Sequence, residues 1–308
     1  MVFPLQLALN ATAEVESLKD FPNFHFFMTA RATALAPRFD LVPITDPSAA
    51  CDDGSSHTAS SRCNRWLSQS EALGNATVDD YIGHFSAVCY MTVRDMASLH
   101  DSVGSARPVG LIQSAWGGTR VEAWMSTEAI QASGYADVVP ARPAQNNVSV
   151  LYNAMVAPFN RVAVRAALWY QGEANADQQI PGVDQTDYYA TMYQGMIADW
   201  RDRKGMGDFA FGTVQLPPSV ATGTPASQQN NTGRPNIRVA EAEVESHSGG
   251  KTDISGVAVT IDLGGKSAWG YDHPPNKNEI SRRLALATLH AAYATQEPLW
   301  TGLFAVLK

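Results

Sequence analysis

The 308-residue sequence is short of charge, with 17% Asp, Glu, Lys and Arg against about 25% in ordinary soluble domains. Cations are the scarcer kind, 22 Lys and Arg against 30 Asp and Glu for a formal charge of −8, and no block of Lys or Arg occurs. Neutralising phosphates takes clustered cations, so nucleic acid is not expected as a partner. Long apolar runs are missing too, none approaching the 18 or so residues of a membrane span, so no membrane-spanning segment is expected. The opening Met1-Val2-Phe3-Pro4-Leu5-Gln6 has no cation and is interrupted by proline and glutamine, so it does not read as a signal peptide. Cysteine is scarce, at three residues. Cys51 and Cys63 flank the polar loop Asp52–His57, which two thiols can share with or without a disulfide, and Cys89 reads as a buried small hydrophobe. No Cys-x-x-Cys or His-Glu-x-x-His spacing is present, so neither a metal nor another cofactor is expected.

What the chain does have is enough apolar material, 45%, for a real core, which excludes wholesale disorder. Short apolar runs alternate with longer helical patterns, the signature of βαβ units around a parallel sheet. Strands are expected at Phe24–Ala30, Val109–Ser114, Val164–Tyr170, Phe209–Leu216 and Val257–Asp262, apolar along their full length and so buried on both faces. Helices are expected at Leu5–Leu18, Thr77–His100, Ser149–Val162, Tyr188–Arg201 and Asn276–Thr295. Stretches 34–70 and 217–236, rich in Ser, Pro, Asn and Gln, read as long loops on one domain. Four N-x-Ser/Thr sequons, at Asn10, Asn75, Asn147 and Asn230, favour a secreted glycoprotein.

Three segments depart from what packing alone selects. Gly110–Thr119 runs a strand straight into Gly117-Gly118, where glycine permits close backbone approach and outward amides; a tight turn is the plain alternative. Leu168–Asn175 places Gln171, Gly172, Glu173 and Asn175 at the carboxyl end of a strand, where open α/β sheets bind ligands. There the Gln171 amide can donate to a developing oxyanion, and Glu173 can orient a sugar hydroxyl or hold a neighbouring loop. Trp269–Glu279 sets His273 just before the last helix, whose dipole disfavours the imidazolium and leaves the ring available as a base.

Together these segments, with Val121-Glu122-Ala123-Trp124, Phe85–Tyr90, Leu151–Met155, Lys277 and Arg283-Leu284-Ala285, resemble the ordered blocks of the sialate O-acetylesterases, within the SGNH hydrolase superfamily. The resemblance covers about residues 1–295. It implies a three-layer α/β/α, flavodoxin-like fold with a mainly parallel sheet, a single domain over 1–308, and removal of O-acetyl groups from sialic acid or related sugars by serine acyl transfer. His273 is the implied base and Asp272 its candidate acid, since the family's usual acidic places hold Tyr271 and Gly270. The backbone of Gly118 and the side chain of Gln171 are the implied oxyanion hole, with Trp116, Glu173, Asn175 and Arg120 as substrate contacts. A sialate carboxylate would call for an arginine, and Arg120, Arg234 and Arg238 are the candidates.

The family's nucleophile lies in a Gly-Gln-Ser-Asn-Met block after the first strand, and this chain begins at that block's Met. The expectation is therefore an N-terminally truncated domain without its serine or first strand, and Ser86 and Ser114 are poor replacements. An acetylxylan-type esterase and a non-catalytic sugar-binding relative are the alternatives. By family, the location is extracellular or lysosome-like.

Overall fold

The computed structural model describes residues 3–41, 62–100, 103, 107–178, 180–203, 209–219, 233–246 and 255–293. Its strands are β1 (Phe24–Met28), β2 (Leu67–Ser68), β3 (Val109–Gln113), β4 (Ala166–Trp169), β5 (Ala210–Val214) and β6 (Gly256–Ala258). The α-helices, renumbered in chain order, are α1 (Ala11–Ser17), α2 (Gln69–Leu73), α3 (Tyr81–His84), α4 (Ala87–Leu99), α5 (Thr127–Ala132), α6 (Glu173–Ala176), α7 (Gln185–Asp202), α8 (Arg234–Ser246) and α9 (Lys277–Tyr293). All five expected strands are present and shorter than expected, each ending early, with β6 starting one residue sooner, at Gly256. The short β2, which lies in the expected 34–70 loop, adds an antiparallel edge to β1.

The strands form two three-stranded sheets, ordered β2-β1-β3 and β4-β5-β6. The pairs β1–β3, β4–β5 and β5–β6 are all parallel. Parallel neighbours need crossover helices, and these cover the sheets. Among the described residues no ladder joins β3 to β4. Burial follows that arrangement. Every residue of β5 is buried, as the apolar runs predict, whereas Ile112 of β3 and Ala166, Ala167 and Leu168 of β4 are only half-buried. A strand lacking a neighbour on one side loses cover along that edge.

Two apolar clusters form the core, and α9 belongs to both. Its Ile280 and Leu284 enter the cluster of β4, β5 and α7, while Ala285 and Leu289 enter that of β1, α3 and α4. The expected helix over Thr77–His100 breaks at Phe85, whose extended backbone accepts the Leu5 amide at 2.9 Å. Ser86 then starts α4 as its N-cap, accepting from Cys89 N at 3.2 Å. The expected helix over Ser149–Val162 becomes a π-turn, Tyr152–Val156, followed by a 3₁₀ turn, Ala157–Phe159, where Pro158 supplies no amide hydrogen. Helix α8 starts inside the expected 217–236 loop, the rest of which lies largely outside the described residues. Cys63 is disulfide-bonded, Cys89 is free with its thiol pushed up to about 12 by burial, and Cys51 lies outside the described residues. The sequon residues Asn10, Asn75 and Asn147 are exposed, and Asn230 is not among the described residues. Among the described residues no helix is long and apolar enough to cross a membrane.

Candidate active site

The loop after β3 is fastened from both sides. Ser114 Oγ donates to Met155 O at 2.7 Å, and Thr119 Oγ1 donates to Trp116 O at 2.6 Å while accepting from Trp124 Nε1 at 3.0 Å. Asn146 donates to Gly118 O at 3.0 Å and accepts from Arg120 N at 2.9 Å. Gly118 has φ +72°, a left-handed conformation, and a Cβ there would meet nothing within 4 Å. Backbone conformation, not crowding, is what calls for glycine. Trp116 is half-buried against the core, with the Arg31 guanidinium 6.0 Å from its ring.

The loop after β4 turns sharply at Gly172, φ +141°, where a Cβ would lie 2.7 Å from Ile237 Cγ2. Just before it, Gln171 Nε2 donates to Thr119 O at 3.1 Å and to Asn175 Oδ1 at 2.8 Å, and its Oε1 accepts from Tyr189 OH at 3.0 Å. Asn175 Oδ1 also accepts from Val121 N at 3.0 Å, and its Nδ2 donates to buried Glu122, which accepts Tyr188 OH at 2.6 Å. Arg120 Nε donates to Ala174 O at 3.0 Å. The structure thus brings Gly118, Arg120, Gln171 and Asn175 together as the stitching between two strand ends. Both amide hydrogens of Gln171 are committed within that stitching, so its first role is to join the loops. Residue types alone carry no sign of this, because an amide suited to an oxyanion is equally suited to a buried carbonyl.

The third segment meets the second at the start of α9. Asp272 is paired with Arg234 Nη2 at 2.7 Å, the arginine 5% and the aspartate 52% exposed in their side chains, whereas Nδ1 of His273 is buried and accepts or donates no hydrogen bond. The structure therefore does not bring Asp272 onto His273; the buried guanidinium, a charge-assisted partner, holds it instead. The imidazole packs edge-on to Trp269, with ring centroids 5.8 Å apart. Burial, and then the positive charge of Lys277, lower the His273 pKa to about 4, so the ring is neutral at neutral pH. The sequence-level reading assigned that neutrality to the helix dipole; in the fold its main cause is desolvation.

Lys277 was legible as part of a family block but not as a site residue. Its side chain is fully buried, Nζ has no hydrogen-bond partner, and the ammonium lies 4.5 Å from the centre of the Phe3 ring and 4.9 Å from that of Tyr170. Burial lowers its pKa to about 7, opposed by the negative charge of Glu173. Glu173, the first residue of α6, has a buried Oε1 with no hydrogen-bond partner. A signal was present: Lys277 shares the i, i+3, i+7 stripe of Ile280 and Leu284. The other arginine candidates are engaged with backbone or carboxylate, Arg238 donating to Leu216 O at 2.7 Å and to Pro217 O at 3.1 Å. Among the described residues no cluster of three or more His, Cys, Asp or Glu could hold a metal ion.

The sequence profile of the family described as carbohydrate esterase, sialic acid-specific acetylesterase, matches residues 52–270. The curated sialate O-acetylesterases of Pongo abelii and Homo sapiens are 31% and 30% identical over 253 residues, covering 76% of this chain and 43% of theirs. That of Mus musculus is 29% identical over 258 residues, 71% of this chain and 45% of its own. This chain thus spans less than half the length of those relatives. A crystal structure of a carbohydrate acetylesterase from Xanthomonas citri superposes with a TM-score of 0.69 at 24% identity, over 96% of this chain and 55% of that one, which shows an α/β fold in common. With the profile covering most of the sequence, the chain belongs to the sialic acid-specific acetylesterase family of carbohydrate esterases.

Proposed function

We propose that this chain is the core of a carboxylic ester hydrolase that removes O-acetyl groups from sialic acid or a related sugar by serine acyl transfer. The observation that carries the reading is the neutral, half-buried imidazole of His273, with Nδ1 buried and uncommitted, in a fold whose β3 and β4 exit loops are locked together. In the reaction His273 takes the proton of the attacking serine, and the serine oxygen adds to the acetyl carbonyl. The tetrahedral oxyanion is held by the Gly118 amide and by Gln171, which exchanges one of its present acceptors for it. His273 then returns the proton to the departing sugar hydroxyl, and water repeats the sequence on the acetyl-enzyme. Trp116, Glu173 and Arg120 border the same loops and supply the sugar contacts, while Asn175, expected among them, is buried with its amide committed to Val121, Gln171 and Glu122 and holds the loops in place.

The serine is not identified among the described residues. The hydroxyl of Ser86 caps α4 and that of Ser114 is held by Met155 O. We place the nucleophile at the end of a further strand between β3 and β4, a position supported by their missing ladder and their half-buried apolar residues. Unpaired buried backbone groups cost about 1–3 kcal/mol each, which favours an occupant.

The test measures acetate release from O-acetylated sialic acid and from acetylated xylan by the product of the full coding sequence. Release from the sialic acid ester, abolished by His273→Ala, supports the reading, and preference for xylan moves the substrate to a neutral sugar. Glycan binding without acetate release from either would instead favour a sugar-binding relative, the second reading.

A further inference from the structure

We infer that Lys277 is a positioning residue for His273: its buried ammonium, held between the Phe3 and Tyr170 rings, keeps the imidazole a weak base, and loss of that proton strengthens it. The packing forms a continuous path between the two groups. Lys277 Nζ lies 4.5 Å from the Phe3 ring centre, Phe3 meets Trp269 edge-to-face at 5.6 Å, and Trp269 meets His273 edge-to-face at 5.8 Å. The backbone adds a second link, a turn in which Lys277 N donates to Pro275 O at 2.8 Å. The lysine has no exposed surface and its ammonium has no hydrogen-bond partner in the chain, so its charge is poorly screened toward its neighbours.

The charges around the pair are few. His273 is under the charges of Lys277 on α9, Arg234 on α8 and Asp272 on its own loop, and of these only Asp272 favours the imidazolium. Lys277 faces Glu173 from α6, which favours the ammonium. The two titrations are therefore coupled. Lys277 discharges near neutrality, and while charged it is, after burial, a cause that holds the His273 pKa down. In the esterase reading this ties the strength of the general base to a second proton, so that the base is stronger above neutral pH. The inference depends on that reading only for what His273 does with its proton. The coupling itself is a property of the chain as it stands.

The experiment follows the ring carbons of His273 by NMR in the ¹³C-histidine-labelled, N-terminally acetylated 308-residue chain, for the native sequence, Lys277→Met and Lys277→Arg. Expected is a midpoint about one pH unit higher in Lys277→Met, with Lys277→Arg close to the native chain. Equal midpoints in the native chain and Lys277→Met overturn the inference, as does a Lys277→Arg shift as large as that of Lys277→Met. If the variants do not fold, the native chain suffices: Lys277 Cε is expected to titrate near 7, with a matching inflection in the His273 ring signal. A lysine titrating at its ordinary 10.5, or an inflection missing from the ring, overturns it equally. Absence of acetate release bears on the esterase reading and leaves these titrations unaffected.

Discussion

Gln171 illustrates how a side chain at a site can be structural first. Its amide satisfies Thr119 O, Asn175 Oδ1 and Tyr189 OH inside a 6%-exposed position. Gln171→Ala removes the Thr119 O donor outright, while Asn175 Oδ1 keeps Val121 N and Tyr189 OH keeps only the longer bond to Gln171 O at 3.4 Å. Urea unfolding of the 308-residue chain is expected to show a loss of about 1–3 kcal/mol, independent of any substrate. Two other buried groups set opposing pH dependences. Glu241 is fully buried and its carboxyl is raised well above 4.5 by desolvation, so the folded chain binds more protons than the unfolded one and stability falls as pH rises above 4.5. His273 is lowered from 6.5 to about 4, so between those values the unfolded chain binds more protons and stability rises with pH. Denaturation series in pH are expected to flatten above 4.5 in Glu241→Gln, and between 4 and 6.5 in His273→Asn. A Glu241→Gln curve parallel to the native one would falsify the burial argument.

Among the elements, α5 and α9 depend on single positions. Ser126, fully buried, caps α5 by accepting Ala129 N at 3.1 Å and donates to Asp199 Oδ1 on α7 at 2.9 Å. Ser126→Ala therefore loses a cap and an interhelical bond together, and thermal and urea unfolding are expected to register about 1–2 kcal/mol. Leu284 is fully buried on the helix that enters both core clusters, so Leu284→Ala opens a void at their junction. Its expected cost is about 2–5 kcal/mol, read by equilibrium denaturation.

At the scale of the whole molecule, the two half-sheets make a mechanical statement. Strand β5, paired on both sides and buried throughout, is expected to hold the slowest-exchanging amides, while β3 and β4, each paired on one side among the described residues, exchange faster. Hydrogen exchange read by mass spectrometry checks this, and equal protection of β3, β4 and β5 would overturn it.

Much of this was determined by the sequence alone. Apolar period and turn residues located all five expected strands and α9, because short β-branched and apolar runs are local properties. Residue order was enough to mark the three segments that gather at the strand ends. Other features depended on contacts between distant residues. Burial on every side, which the apolar runs of β3 and β4 promised, required a neighbour that local pattern does not specify. Asp272 sits beside His273 in the chain yet pairs with Arg234, thirty-eight positions away, because a buried guanidinium needs a carboxylate more than a neutral imidazole does. Lys277 became a buried cation only when α9 packed it against Phe3 and Tyr170. Local pattern selects elements and residue types; which charge is desolvated, and by what, is decided by packing among parts of the chain that no window of sequence contains together.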